Sequence, residues 1–178
     1  MKKLLSWFVG LSFATVSQAT SLIPPVVSDV DLGSFLGRWY EVASTKPFFQ
    51  RDCVCVTADY SLLPNDTVEV VNSCRKDEPS AELTEVVLNA RTTKNPAKLK
   101  VGFGPFPAPF SNYWIVDLAD DYRYAVISTR LRSPVWILSR TPEIDSHDLA
   151  GIYERLDHQG FRVSKITPTL QAGCPATL

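Results

Sequence analysis

Residues 54–73 read Val54-Cys55-Val56-Thr57-Ala58-Asp59-Tyr60-Ser61-Leu62, then Leu63-Pro64-Asn65-Asp66, then Thr67-Val68-Glu69-Val70-Val71-Asn72-Ser73. Both flanks are rich in β-branched and aromatic residues and have the period of two that a strand requires, so Val56, Ala58 and Tyr60 share one face. The Pro-Asn-Asp connection is turn chemistry, and the stretch predicts an antiparallel hairpin. Six further segments have the same character: 38–43, 85–92, 98–103, 113–118, 122–128 and 135–140. Eight strands with short connections and no helix between them predict an antiparallel meander, which closes as a barrel or splits into a sandwich.

One helix follows the strands. Asp145 or Ser146 is positioned to cap it, Leu149, Ile152, Tyr153 and Leu156 form a single apolar stripe, and Gly160 stands where a left-handed C-terminal residue is wanted. Such a helix packs on the outside of a sheet already formed. Phe161 to Ile166 alternates like one more strand, and the segment 104–110, with Pro105, Pro107 and Pro109, predicts a loop carrying Phe103, Phe106 and Phe110. That loop is expected to fold back over one end of the sheet, although three loop aromatics also suit docking on a partner or a membrane surface.

The chain begins with a basic Met1-Lys2-Lys3, a thirteen-residue apolar run from Leu4 to Val16, and Ser17-Gln18-Ala19 with small residues at −3 and −1 of a cleavage point. Thirteen helical residues cover about 20 Å, short of a bilayer core of roughly 30 Å. Residues 1–19 are therefore expected to be a signal peptide and 20–178 a single domain that is exported, periplasmic or secreted. No cysteine precedes Cys53, so no lipoprotein-type covalent membrane anchor is expected.

The 178 residues, 45% of them hydrophobic and 21% charged, suit one globular core. Loss of Lys2 and Lys3 would take 18 basic residues to 16 against 19 acidic, a net charge near −3, and the basic residues are dispersed. That distribution argues against nucleic acid as a partner. Cys53, Cys55, Cys74 and Cys174 make an even set in an oxidising compartment, and two disulfides are expected with three connectivities open. One Cys-x-Cys without a nearby histidine is a poor metal site, so no metal and no cofactor are expected. Placed two apart on a strand, Cys53 and Cys55 should point to the same face, and each needs a distant partner. His147 and His158 have no nucleophile or carboxylate pair converging on them in sequence. Asn65-Asp66-Thr67 is a glycosylation sequon, relevant only in a eukaryotic host.

Gly37-Arg38-Trp39-Tyr40-Glu41-Val42-Ala43, Asp120-Asp121-Tyr122 and Trp136-Ile137-Leu138-Ser139-Arg140 stand in the order of the three lipocalin motifs. With Thr57-Ala58-Asp59-Tyr60 and Leu99-Lys100-Val101, the chain resembles bacterial outer-membrane and apolipoprotein D-like lipocalins over nearly all of residues 20–178. The resemblance implies an all-β fold, an eight-stranded antiparallel up-and-down barrel with one C-terminal α-helix packed on its outside. It implies a barrel floor of Gly37, Trp39 and Arg140, the guanidinium stacked on the indole. It also implies the pairs Cys55–Cys174 and Cys53–Cys74, which only a bulge reconciles with Asn72 facing inward.

Alternation from these anchors places Trp136 and Leu138 inside with Arg140, and Glu41 and Ala43 inside with Trp39. Tyr60, Asn72, Val101, Phe103 and Trp136 are the expected ligand-lining residues, with Phe48 and Phe49 over the open end; Glu41 and Leu138 are expected to pack the floor. The implied function is non-catalytic carriage of a small hydrophobic ligand, a fatty acid or lysophospholipid in the bacterial cell envelope, by a monomer or homodimer that contacts membranes transiently. A bilin, haem or carotenoid pigment is the alternative ligand. A thiol enzyme using Cys74 would be the alternative activity.

Overall fold

The computed structural model describes residues 21–64, 67–104 and 108–175. The expected signal peptide, the sequon's Asn65 and Asp66, and Phe106 of the proline-rich loop lie outside the described residues. Eight antiparallel strands close a barrel: β1 Gly37–Ser44, β2 Cys53–Leu62, β3 Val68–Lys76, β4 Leu83–Thr92, β5 Lys98–Gly102, β6 Tyr113–Leu118, β7 Tyr124–Ser128 and β8 Trp136–Ser139. Each pairs with its neighbour in sequence, and β1 closes the ring by pairing with both β2 and β8. In the β2–β3 hairpin, Tyr60 lies opposite Val70 and Ala58 opposite Asn72.

Helix α2, Ser146–His158, lies outside the barrel. Asp145 caps it by accepting from the amides of His147 and Asp148, and Gly160 at φ 79° turns the chain out of it. Ile152 and Leu156 face Trp114, Val116, Val126 and Ile137 on the outer wall, whereas Ile115, Ile127 and Leu138 of the same strands face the interior. All five residues of β7 are buried because this wall is covered on both faces. Two ion pairs hold the helix to the barrel, Arg123 with Asp148 at 2.7 Å and Arg155 with Asp117 at 2.8 Å. No helix among the described residues is long and apolar enough to cross a membrane.

The structure corrects four local expectations. A single helical turn, α1 (Leu32–Phe35), precedes β1, capped by Asp31. Residues 161–166 are not a strand: Phe161 and Ile166 turn inward to the helix-side core, Val163–Lys165 form a 3₁₀ turn, and only β9, Thr167–Pro168, pairs with Ser44 and Ala43. Ala43 packs in that outer core instead of the interior, because a register shift between Glu41 and Ala43 reverses the alternation.

Cys53 and Cys55 do not share a face. In β2 both Cys55 and Val56 oppose Cys74, between the pairs Val54–Arg75 and Thr57–Ser73, and Cys55 takes φ 53°. This bulge leaves Cys53 on the cavity wall beside Cys74, with which it is bonded, and turns Cys55 to Cys174. Beyond Tyr40–Thr57 strands β1 and β2 separate, and the C-terminal segment fills the gap. There the Thr169 amide donates to the Val42 carbonyl, the Cys55 amide to the Leu170 carbonyl, and Gln171 Nε2 to the carbonyls of Glu41 and Val56.

Candidate functional site

The barrel encloses a cavity of about 760 Å³, inside the size range of small-molecule sites. Its floor is built from the first and last strands. Arg140 stacks over the Trp39 ring at 3.7 Å and donates to the carbonyls of Arg38 and Ser34, while Trp39 Nε1 donates to the carbonyl of Phe35. Gly37 at φ 89° gives the chain the left-handed turn into β1, and a Cβ there would meet the Arg140 guanidinium. Arg140 is stacked on the floor indole and is not among the residues that line the cavity, so its guanidinium does not present an anion site there.

Above the floor the lining is mainly apolar, including Val70, Leu88, Val101, Ile127 and Leu138. Tyr60, Asn72, Val101, Phe103 and Trp136 all lie on this lining, on four different strands or just beyond their ends. Phe48 and Phe49 border the opening and are 82% and 62% exposed; Phe103, at the rim, is 73% exposed. Phe110, 69% exposed, is not on the lining, so the proline-rich loop brings one of its two described aromatics to the mouth.

Besides Asn72 and a few other short polar side chains, three polar groupings mark the wall. Tyr60 and Tyr113 bring their hydroxyls to 2.7 Å, and burial pushes the Tyr60 phenol up to about 12 and Tyr113 well above its ordinary value. Glu41, only 3% exposed, accepts from Thr169 Oγ1 at 2.5 Å and from Gln50 Nε2, while Gln50 Oε1 accepts from Trp136 Nε1 at 3.0 Å. Burial raises the Glu41 carboxyl above its ordinary range against the lowering effect of these hydrogen bonds. At the opposite side of the mouth Lys76 lies 3.6 Å from Cys53 Sγ.

Sequence reasoning singled out neither Tyr113 nor Gln50 as cavity residues. Tyr113 opens β6 and Gln50 ends a 3₁₀ turn, where alternation gives no direction; the structure puts them beside Tyr60 and Trp136. Glu41 was legible as inward-facing, but its partners Gln50 and Thr169 are 9 and 128 residues away.

Cys74 lies on the cavity wall bonded to Cys53, so it offers no thiolate for nucleophilic chemistry in this state. The one His/Asp cluster among the described residues, Asp145, His147 and Asp148, is the solvent-facing first turn of α2, where Asp145 already serves as cap. A cavity walled in this way takes an apolar molecule out of water.

Comparison with known proteins gives the same architecture. A lipocalin-like domain model matches residues 30–171. The chain is 35% identical over 164 residues to apolipoprotein D of Mus musculus, covering 85% of this chain and 82% of that protein. It is 33% identical over 171 residues to the outer membrane lipoprotein Blc of Citrobacter freundii, covering 93% and 94%. The solved structure of lobster apocrustacyanin A1 superposes with a TM-score of 0.64 at 14% identity, over 90% of this chain and 96% of that one, a likeness of fold alone.

Proposed function

The chain belongs to the lipocalin family, and from that premise we propose that it binds and carries a small hydrophobic lipid, a fatty acid or lysophospholipid, in the bacterial cell envelope. The observation that carries this reading is the cavity itself: about 760 Å³, walled by apolar side chains and opening between exposed aromatics at Phe48, Phe49 and Phe103. Such a site gains affinity at roughly 25 cal/mol per Å² of apolar surface removed from water, and an acyl chain offers that surface without needing polar partners along its length. Tyr60, Asn72, Val101, Phe103 and Trp136 are the proposed contact residues, with Lys76 at the mouth beside a head group that stays wet.

The two disulfides support an exported protein, since such bonds persist in oxidising compartments. The likeness to an outer membrane lipoprotein supports the envelope. Carriage in this reading is binding without chemistry.

The test is native mass spectrometry with lipid extraction on protein recovered oxidised from a periplasmic host, followed by titration of its tryptophan fluorescence with hexadecanoic acid. One lipid per chain and saturable quenching that is lost in Trp136→Phe are the expected results. A folded protein that recovers no lipid and shows no quenching overturns the reading, and a coloured ligand in the extract would move the assignment to a pigment.

A further inference from the structure

The closed end of the cavity carries a hydrogen-bonding pair that a plain acyl chain does not use. The Tyr60 and Tyr113 hydroxyls are 2.7 Å apart, and neither makes another hydrogen bond among the described residues. Each phenol has one proton to give. One proton is spent between the two oxygens; the other, on whichever hydroxyl accepts, is left without an acceptor in a site where Tyr60 is only 7% exposed. An unmade hydrogen bond at a buried donor is expensive, and ligand or water must supply the missing acceptor.

The pair sits at the bottom of the barrel. The Tyr60 ring meets Phe35 edge-on at 5.3 Å, Phe35 packs on Trp39 at 5.0 Å, and Arg140 covers the far face of that floor. Asn112, the nearest amide in sequence, is occupied in both directions by the amide and carbonyl of Val101. No cation hydrogen-bonds to the pair: Arg140, near enough for its charge to act on the Tyr60 phenol, is held by the Trp39 ring and two backbone carbonyls, and Lys76 belongs to the other end of β3. A carboxylate driven to this depth would be a buried charge with no cation to hydrogen-bond it, whereas an uncharged oxygen would complete the pair.

We propose that Tyr60 and Tyr113 form a specificity subsite for one uncharged oxygen, a hydroxyl or carbonyl, at the end of the ligand that enters the barrel first. The ligand class is then an oxygenated lipid bound with its oxygen at the floor: an acyl chain hydroxylated or oxidised at its far end, or a ring system with a ketone or hydroxyl there. The inference rests on the lipid-carrier reading and sharpens it, because a site with a waiting donor discriminates against an analogue lacking the oxygen more strongly than an apolar wall discriminates a methylene.

The experiment compares affinities for matched acids of 12, 14 and 16 carbons, each with and without a terminal hydroxyl, in the full chain and in Tyr60→Phe and Tyr113→Phe. The quantity read is the ratio of the two affinities, which cancels the intrinsic cost of dehydrating the ligand hydroxyl. That ratio is expected to fall about 10-fold or more in each variant at the chain length that reaches the floor, and dividing by the affinity for the unsubstituted acid removes whatever each substitution does to binding of the chain itself. Unchanged ratios at all three lengths, in variants that still bind the unsubstituted acid, would overturn the subsite and leave lipid carriage standing. If the parent protein, folded and oxidised, binds none of the six acids, the lipid reading fails and the subsite falls with it.

Discussion

Arg140 illustrates a residue whose contacts are all structural ones. Its guanidinium covers the Trp39 ring and bonds to two carbonyls, one of them from the turn that starts the barrel. Arg140→Ala removes a cation–π contact and leaves those carbonyls without their donor, and is expected to destabilise the protein by about 2 kcal/mol in urea denaturation. Arg140→Lys recovers only part, since an ammonium cannot present the planar fork.

Glu41 behaves oppositely. Burial raises its folded pKa, so the stability it contributes is fully present below its ordinary pKa and is lost as pH rises through the raised value. Glu41→Gln, which can still accept from Gln50 and meet the Thr169 hydroxyl, is therefore expected to gain stability relative to the parent as pH increases from 4 to 8. A pH series of denaturation midpoints checks the sign, and a constant difference between parent and variant across that range would contradict it.

At the scale of the element, the C-terminal segment acts as a ninth piece of wall. Strands β1 and β2 part where Cys55 bulges, and Thr169 to Gln171 satisfy the backbone groups left open. The Cys55–Cys174 bond spans 119 residues and holds this piece in place. Replacing both cysteines with alanine is expected to cost about 3 to 5 kcal/mol, by releasing a long loop in the unfolded chain. Faster hydrogen exchange at the amides of Cys55 and Thr169 would localise the loss to the β1–β2 gap. Helix α2 is a separable case: Asp145→Ala removes the acceptor of two amides and is expected to cost about 1 kcal/mol, read as a small drop in Tm with the cavity intact.

The molecule as a whole is a barrel with two cores, one at the closed end of its interior and one between its outer wall and α2. Between the first core and the mouth it leaves its interior unfilled, so a ligand can complete the burial that the chain's own side chains do not. Saturating ligand at 100 times Kd is expected to stabilise the fold by about 2.7 kcal/mol, visible as a concentration-dependent rise in Tm. Because that gain comes from apolar surface, it should change little between 50 and 500 mM salt. By itself the sequence determined the strand series, the helix and its cap, and part of the cavity wall, because alternation and capping are local rules that residues such as Val56, Ala58, Tyr60 and Asp145 obey without knowledge of their partners. Only the tertiary structure decided the reversals at Ala43 and Cys55, the refusal of residues 161–166 to form a strand, and the meeting of Tyr60 with Tyr113 and of Glu41 with Thr169. Each of these depends on a bulge or on chain segments far apart in sequence, and a one-residue shift in register inverts every direction that periodicity assigns.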